Sequence, residues 1–320
     1  MMTQSGARTY ELQALTDIWT GDANTAQSKQ AKRLIPTGLL GSVRWWFEVL
    51  VRGLGGSACD PSRPELRCPD RQGRRCVVCE LFGCTGWARK FRFDVRDANG
   101  GVRQAQIEAG ERFAVAFTET RPTSLEEWKL LDMTLRLIAD YAAIGGKTVY
   151  KPTDENARQN AAHHRDYGVI SVERAPNLDS IDPDGLRSYV GDRRWRWVEH
   201  AGFAWASLAN LWSVTDRYLA RQDTNRSTFN RVIGRPEPKR QSSQQDSWLA
   251  GRRAGSGQQP ESKKVFSVKN PPRTFGFTNG DQLTLDAIKT KLRSAWPDLK
   301  DAEFKTGDAI LDQLLRGASA

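Results

Sequence analysis

Apolar residues return at helical spacing between residues 36 and 54. Leu39, Leu40, Val43, Phe47, Leu50 and Leu54 make one stripe, and Gly41, Arg44, Trp45, Glu48 and Arg52 fall on the other side. Pro36 suits a helix start, where its missing N–H costs nothing. Ser124 and Glu127 form a capping box for a second helix, with Leu125, Trp128, Leu131, Leu135, Ile138 and Ala142 as its buried stripe and Gly145–Gly146 as its stop. Residues 9–16 alternate apolar and polar, as do Phe91, Phe93 and Val95, then Phe113, Val115 and Phe117. Residues 167–172 read as a fourth short strand. The order strand, helix, strand, strand, helix, strand predicts an α+β, ferredoxin-like βαββαβ domain, the layout of the common RNA-recognition module. Such a superfold fixes no function by itself.

The second half has weaker signals. Residues 195–218 read as mainly helical, and residues 236–262, rich in Pro, Gln, Ser, Gly and Arg, read as a mobile loop. Val265, Ser267 and Lys269 suggest a strand, residues 273–278 another, and 281–295 and 307–316 two helices. These features predict a first domain over 1–175, carrying a cysteine-rich insertion at 55–86, and a helix-rich, degenerate ferredoxin-like half over 176–320.

All five cysteines lie between residues 59 and 84. Clustering of this kind points to a metal, because the segment has few apolar residues and needs a staple to be ordered. Cys76-Val-Val-Cys79 is a two-ligand knuckle, and four thiolates would close a tetrahedral structural zinc site with no open position. The preferred ligands are Cys59, Cys68, Cys76 and Cys79; Cys68, Cys76, Cys79 and Cys84 are the alternative. Five reduced thiols without metal are the bland reading.

The 320-residue chain carries a net charge of +10, which favours polyanionic partners, although an arginine-rich composition alone would produce the same balance. Charges interrupt every candidate membrane span, and the first residues hold no apolar leader, so a cytoplasmic protein is expected. Arg193-Arg194-Trp195-Arg196-Trp197 interleaves cations with rings able to stack on bases, or else starts a helix whose tryptophans enter the core. His163-His164 could supply general acid and base for RNA cleavage, or be an exposed loop pair. No helix-turn-helix pattern supports a DNA-binding regulator.

The segment Ile35-Pro36-Thr37-Gly38-Leu39-Leu40-Gly41-Ser42-Val43-Arg44-Trp45-Trp46 resembles the RAMP superfamily of CRISPR systems. Its double tryptophan resembles the first-subunit branch of the type III-B (Cmr) effector. Cys79-Glu80-Leu81-Phe82-Gly83-Cys84 is similar to that family's Leu-Phe-Gly-Ser segment, with Cys84 where serine is usual. Ile144-Gly145-Gly146-Lys147, continued after an insertion at Arg165-Asp166-Tyr167-Gly168, resembles its glycine-rich loop. The resemblance implies a non-catalytic, RNA-binding subunit of a crRNA-guided complex, touching crRNA and target RNA near the guide's 3′ end and contacting other RAMP subunits. The residues expected at RNA are Lys32, Arg33, Gly41, Arg44, Trp45, Gly145, Gly146, Lys147, His164, Arg165, Arg252 and Arg253. Arg44, Lys147 and Arg165 would hold phosphates, and Trp45 would cover a base or ribose. A metal-independent endoribonuclease using His163 or His164 is the alternative.

Overall fold

The computed structural model describes residues 7–20, 33–61, 63–145, 151–159, 161–199, 203–222, 227–234, 247–251, 261–280 and 283–319. The chain divides into two compact units, one of residues 1–147, 168–209 and 307–320, the other of residues 148–167 and 210–306. The division is therefore not a single cut near residue 175. Among the described residues, no helix is long and apolar enough to cross a membrane.

The first unit holds β1 (Ala7–Ala14), α1 (Pro36–Gly53), the short α2 (Val77–Phe82), β2 (Phe91–Asp97), β3 (Arg112–Glu119), α3 (Leu125–Tyr141), β4 (Ile170–Arg174), α4 (Pro183–Val190) and, from the chain's end, α8 (Gly307–Ser319). Its antiparallel sheet runs β2-β3-β1-β4, the order a βαββαβ chain makes when its first and third strands are central. Alternation decides which faces are buried: Tyr10, Leu12 and Ala14 point inward from β1, and Phe91, Phe93 and Val95 from β2. Aromatic edges link the layers. Phe47 of α1 meets Phe82 of α2 at 5.1 Å between ring centroids, Phe82 meets Phe91 at 5.5 Å, Phe91 meets Phe117 at 5.1 Å, and Phe117 meets Tyr10 at 6.1 Å. The capping box forms as expected: the Ser124 hydroxyl accepts from the Glu127 N–H, and Glu127 accepts from the Ser124 N–H.

The second unit holds β5 (Leu211–Thr215), α5 (Thr228–Val232), α6 (Ser247–Ala250), β6 (Val265–Val268), β7 (Arg273–Phe277), α7 (Leu285–Ala295) and β8 (Phe304–Thr306). Its sheet runs β6-β7-β5-β8, so its first and third strands are again central and all pairs are antiparallel. This sheet order agrees with the ferredoxin-like half expected from the sequence. One expectation is corrected: the stretch read as helical at 195–218 contains β5. The reason lies in burial: Leu211, Trp212, Ser213 and Val214 are all buried, so the strand shows no alternation to read. Trp212 is opposite Gly276 in the register, and a Cβ there would come within 2.7 Å of the indole. Glycine thus makes the room for the largest side chain of this core. Of the expected mobile loop, residues 236–246 and 252–260 lie outside the described residues, and α6 occupies part of the rest.

Candidate metal centre and nucleic-acid interface

The cysteine-rich segment brings four sulfurs together. The Sγ atoms of Cys59, Cys68, Cys76 and Cys79 all lie within 4.8 Å of one another, and all four residues are buried. Cys59 and Cys79 are 3.4 Å apart. Cys76 caps α2, where its sulfur accepts from the Cys79 N–H at 3.5 Å, while the Cys76 N–H donates to the Cys68 sulfur at 3.3 Å. A tetrahedral ion with metal–sulfur bonds of ~2.3 Å needs sulfurs roughly 3.8 Å apart, so the donor set fits such an ion. The crowding splits the thiols. The Cys68 thiol is driven down, first by the Cys59 sulfur, while Cys76 and Cys79 are driven up by the Cys59 and Cys68 sulfurs, with burial adding to both. A central cation is what would let all four ionise together. Cys84 stays outside the cluster, half-buried, its thiol directed to the Thr85 carbonyl at 3.8 Å. Of the two sets considered, the one containing Cys59 is the one whose four sulfurs the fold brings together.

Arg44 projects from α1 into this neighbourhood. Its guanidinium donates to the Cys79 sulfur at 3.2 Å, to the Gly83 carbonyl at 3.0 Å and to Glu48 at 3.2 Å. Burial opposes its charge, but Cys79 and Glu48 outweigh burial and hold its pKa above the ordinary arginine value. Glu48 is itself pushed up by burial and is shared with Arg52 at 3.7 Å. Arg196 approaches from the other side. Its guanidinium donates to the Arg67 carbonyl, to the Glu65 and Leu66 carbonyls at 3.2 and 3.4 Å, and to the Cys68 sulfur at 3.7 Å. Its backbone N–H donates to the Arg75 carbonyl at 2.8 Å. Sequence reasoning named Arg196 only within the cation–aromatic array. No local signal joins it to Cys68, from which it is 128 positions distant. Trp87 closes the segment, its ring between the guanidiniums of Arg75 and Arg121, each 3.6 Å from the ring centre.

The other expected contacts scatter. Gly41 is exposed, and a Cβ there would touch nothing. Arg33 is exposed, in a bridge to Ala105. Trp45 is half-buried, its ring edge-to-face with buried Trp46 at 4.6 Å. Gly145 lies beside α1, and Ile144 donates its N–H to the Gly168 carbonyl at 2.7 Å, so both ends of the glycine loop meet in the first unit. Arg165 is exposed, in the second unit. Lys32, Gly146, Lys147, Arg252 and Arg253 lie outside the described residues. Trp197 is 63% exposed and rims a cavity of about 380 Å³ lined also by Arg52, Gly55, Ala58 and Ser207.

His164 is buried, unlike exposed His163. Its Nδ1 is 2.8 Å from the Lys151 carbonyl and its Nε2 is 3.1 Å from the Arg158 guanidinium. A guanidinium can only donate, so Nε2 accepts and Nδ1 carries the proton to the carbonyl. Burial first, then Arg158 and Lys151, lower its pKa despite the hydrogen bond to the Lys151 carbonyl, keeping the ring neutral.

Comparison with known proteins bears on the first unit most directly. Residues 11–150 match the RAMP superfamily. The match bears out the resemblance carried by the segments at 35–46 and 79–84, and it runs from within β1 to just past the end of α3. Among solved structures, the chain is similar to Cmr1 from Pyrococcus furiosus in its apo form, at 11% identity and a TM-score of 0.41, over 98% of this chain and 96% of that one. It is also similar to a chain of the type III-B Cmr-beta complex bound to cognate target RNA and AMPPnP, at 9% identity and a TM-score of 0.47, over 91% of this chain and 99% of that one. No curated protein matches the chain.

Proposed function

We propose that this protein is a non-catalytic, RNA-binding RAMP subunit of a crRNA-guided effector of the type III-B (Cmr) kind, built around a structural zinc centre. The RAMP match over residues 11–150 carries this reading, and the net charge of +10 supports it. The protein would grip backbone and stack on bases, leaving sequence to guide pairing. Arg33 and Arg165 are exposed cations suited to phosphate, and Trp197 is an exposed ring suited to a base. Arg44, engaged with Cys79, Gly83 and Glu48, fits the metal centre better than a phosphate. Cys59, Cys68, Cys76 and Cys79 would hold zinc with all four positions filled, so the ion would brace the loop rather than activate water.

The endoribonuclease alternative draws on His163 and His164. Both ring nitrogens of His164 are engaged in holding the chain, which favours the non-catalytic reading. The test is direct. Purified protein incubated with guide-precursor RNA without added divalent metal is expected to bind and leave it intact, with binding that weakens steeply as salt rises. Cleavage that disappears on His163→Ala/His164→Ala would overturn the non-catalytic role. Failure to bind single-stranded RNA, alone or with partner RAMP subunits, would overturn the RNA reading.

A further inference from the structure

Four thiolates around a divalent ion leave a net negative charge inside the protein, where an uncompensated charge is costly. The chain meets that charge from two directions. Arg44 reaches the Cys79 sulfur at 3.2 Å from a helix more than thirty positions upstream, and Arg196 reaches the Cys68 sulfur at 3.7 Å from more than one hundred positions downstream. Neither arginine is borrowed by one neighbour alone. Arg44 also fixes the Gly83 carbonyl just past α2, and Arg196 also fixes the carbonyls of Glu65, Leu66 and Arg67 just before Cys68. Each guanidinium thus grips a sulfur and the backbone that presents it. The remaining carboxylate in contact, Glu48, is shared between Arg44 and Arg52, so it does not use up the Arg44 charge alone.

We propose that Arg44 and Arg196 are the counter-charges and positioning residues of the four-cysteine metal centre, and that through Arg196 the ion locks the segment carrying Trp197 onto the cysteine loop. This rests on the metal reading above. The lock has its own contacts: the Arg196 N–H donates to the Arg75 carbonyl, and the Ser57 hydroxyl and Val198 backbone exchange hydrogen bonds at 2.9 and 3.0 Å. Hydrogen bonds to coordinating atoms usually tune metal affinity about 10–100-fold when removed.

The experiment compares wild type with Arg196→Gln, Arg196→Lys, Arg44→Met and Arg44→Lys. Zinc per chain is measured first, then zinc transfer to a competing chromophoric chelator, and finally the sulfur-to-metal absorption band of the cobalt(II)-substituted proteins. Wild type is expected to hold about one zinc. Arg196→Gln and Arg44→Met are expected to bind it at least about tenfold more weakly, with a shifted cobalt band, and the lysine variants to recover part of the loss. Arg196→Gln is also expected to open residues 192–198 to proteolysis, and excess zinc to reverse this. Wild type without metal would refute the metal reading itself. Metal-loaded wild type with unshifted affinity and cobalt band in Arg196→Gln would refute only the role of the arginines. So would lysine variants no better than the Gln and Met ones, or an Arg196→Gln protein that stays unfolded in excess zinc.

Discussion

The backbone N–H of Gly145 donates to the Ser42 hydroxyl at 3.0 Å, pinning the chain after α3 to the exposed side of α1. Gly145 has φ +113, and a Cβ there would lie 2.7 Å from the Trp19 carbonyl oxygen. Both the conformation and the space exclude a side chain. Gly145→Ala should cost about 1–3 kcal/mol of stability, the usual range for a strained backbone position. Ser42→Ala, which removes only the acceptor, should cost about 1 kcal/mol. Urea unfolding of the two variants checks the order.

Lys90 places its ammonium 2.9 and 3.0 Å from the two Glu127 oxygens and 3.0 Å from Glu80, while Glu127 also closes the capping box with Ser124. Glu127 is fully buried. Removing its side chain loses the half of the capping box that accepts from the Ser124 N–H and leaves Lys90 with half its counter-charge. Glu127→Ala should therefore cost about 3–5 kcal/mol, as for other broken buried pairs, and Ser124→Ala only about 1 kcal/mol. Equal losses in chemical denaturation would show that the Lys90 contact contributes little.

The contrast among the cysteines gives a cleaner test than metal analysis of wild type alone. Cys84 has no place in the cluster, so Cys84→Ser should keep the metal content and melting temperature of wild type. Cys76→Ser should lose the ion and destabilise the first unit, because Cys76 both caps α2 and supplies a sulfur. A Cys84→Ser protein that loses its metal would reopen the choice of ligands.

The capping box and the cysteine cluster mark what a sequence can carry. The box at Ser124, the stripe of α1 and the alternation of β1 through β3 depend on neighbours a few positions apart, and all are legible. The cysteine spacing shows that a cluster forms but leaves Cys59 and Cys84 as rival fourth members, and only the fold brings the Cys59 sulfur to the other three. The role of Arg44 is not legible either: on the helix it belongs to the polar side, and only the returning cysteine loop turns that side inward toward Cys79. Arg196 and β5 are hidden for the same kind of reason. Their roles come from residues far along the chain, Cys68 for Arg196 and the partner Phe277–Arg273 for β5, and local periodicity carries no trace of such partners.

If the RNA reading holds, charge and stacking separate by their salt dependence. Arg33→Glu should weaken binding to single-stranded RNA and lower the magnitude of the salt slope by about one for each phosphate no longer neutralised. Trp197→Ala should weaken binding by about 1–3 kcal/mol with little change in slope, since a stacked base releases no counterions. Titrations at several salt concentrations check both. A Trp197 variant that changes only the slope would mean the ring does not stack on RNA.

Lys264 supplies a pH test in the second unit. Its ammonium donates to the Ser262 carbonyl at 2.6 Å and lies 4.2 Å from the centre of the Trp248 ring. Burial lowers its pKa from 10.5 to about 8, partly opposed by Glu261. The unfolded chain therefore holds the proton more tightly than the folded one between about pH 8 and 10.5, and in that window stability rises with pH. Below about pH 8 the full penalty of a buried ammonium applies, up to about 3 kcal/mol before the Trp248 contact offsets part of it. Lys264→Met keeps the length of the stem and removes the charge. Its stability relative to wild type should be highest near neutral pH and should fall as pH climbs through the window, because wild type is then relieved of its penalty. Other groups that titrate there cancel in the difference between the two proteins, so the urea midpoints of the pair, followed from about pH 7 to 10, isolate Lys264. A constant difference across that range would mean the lysine keeps its ordinary pKa in the fold.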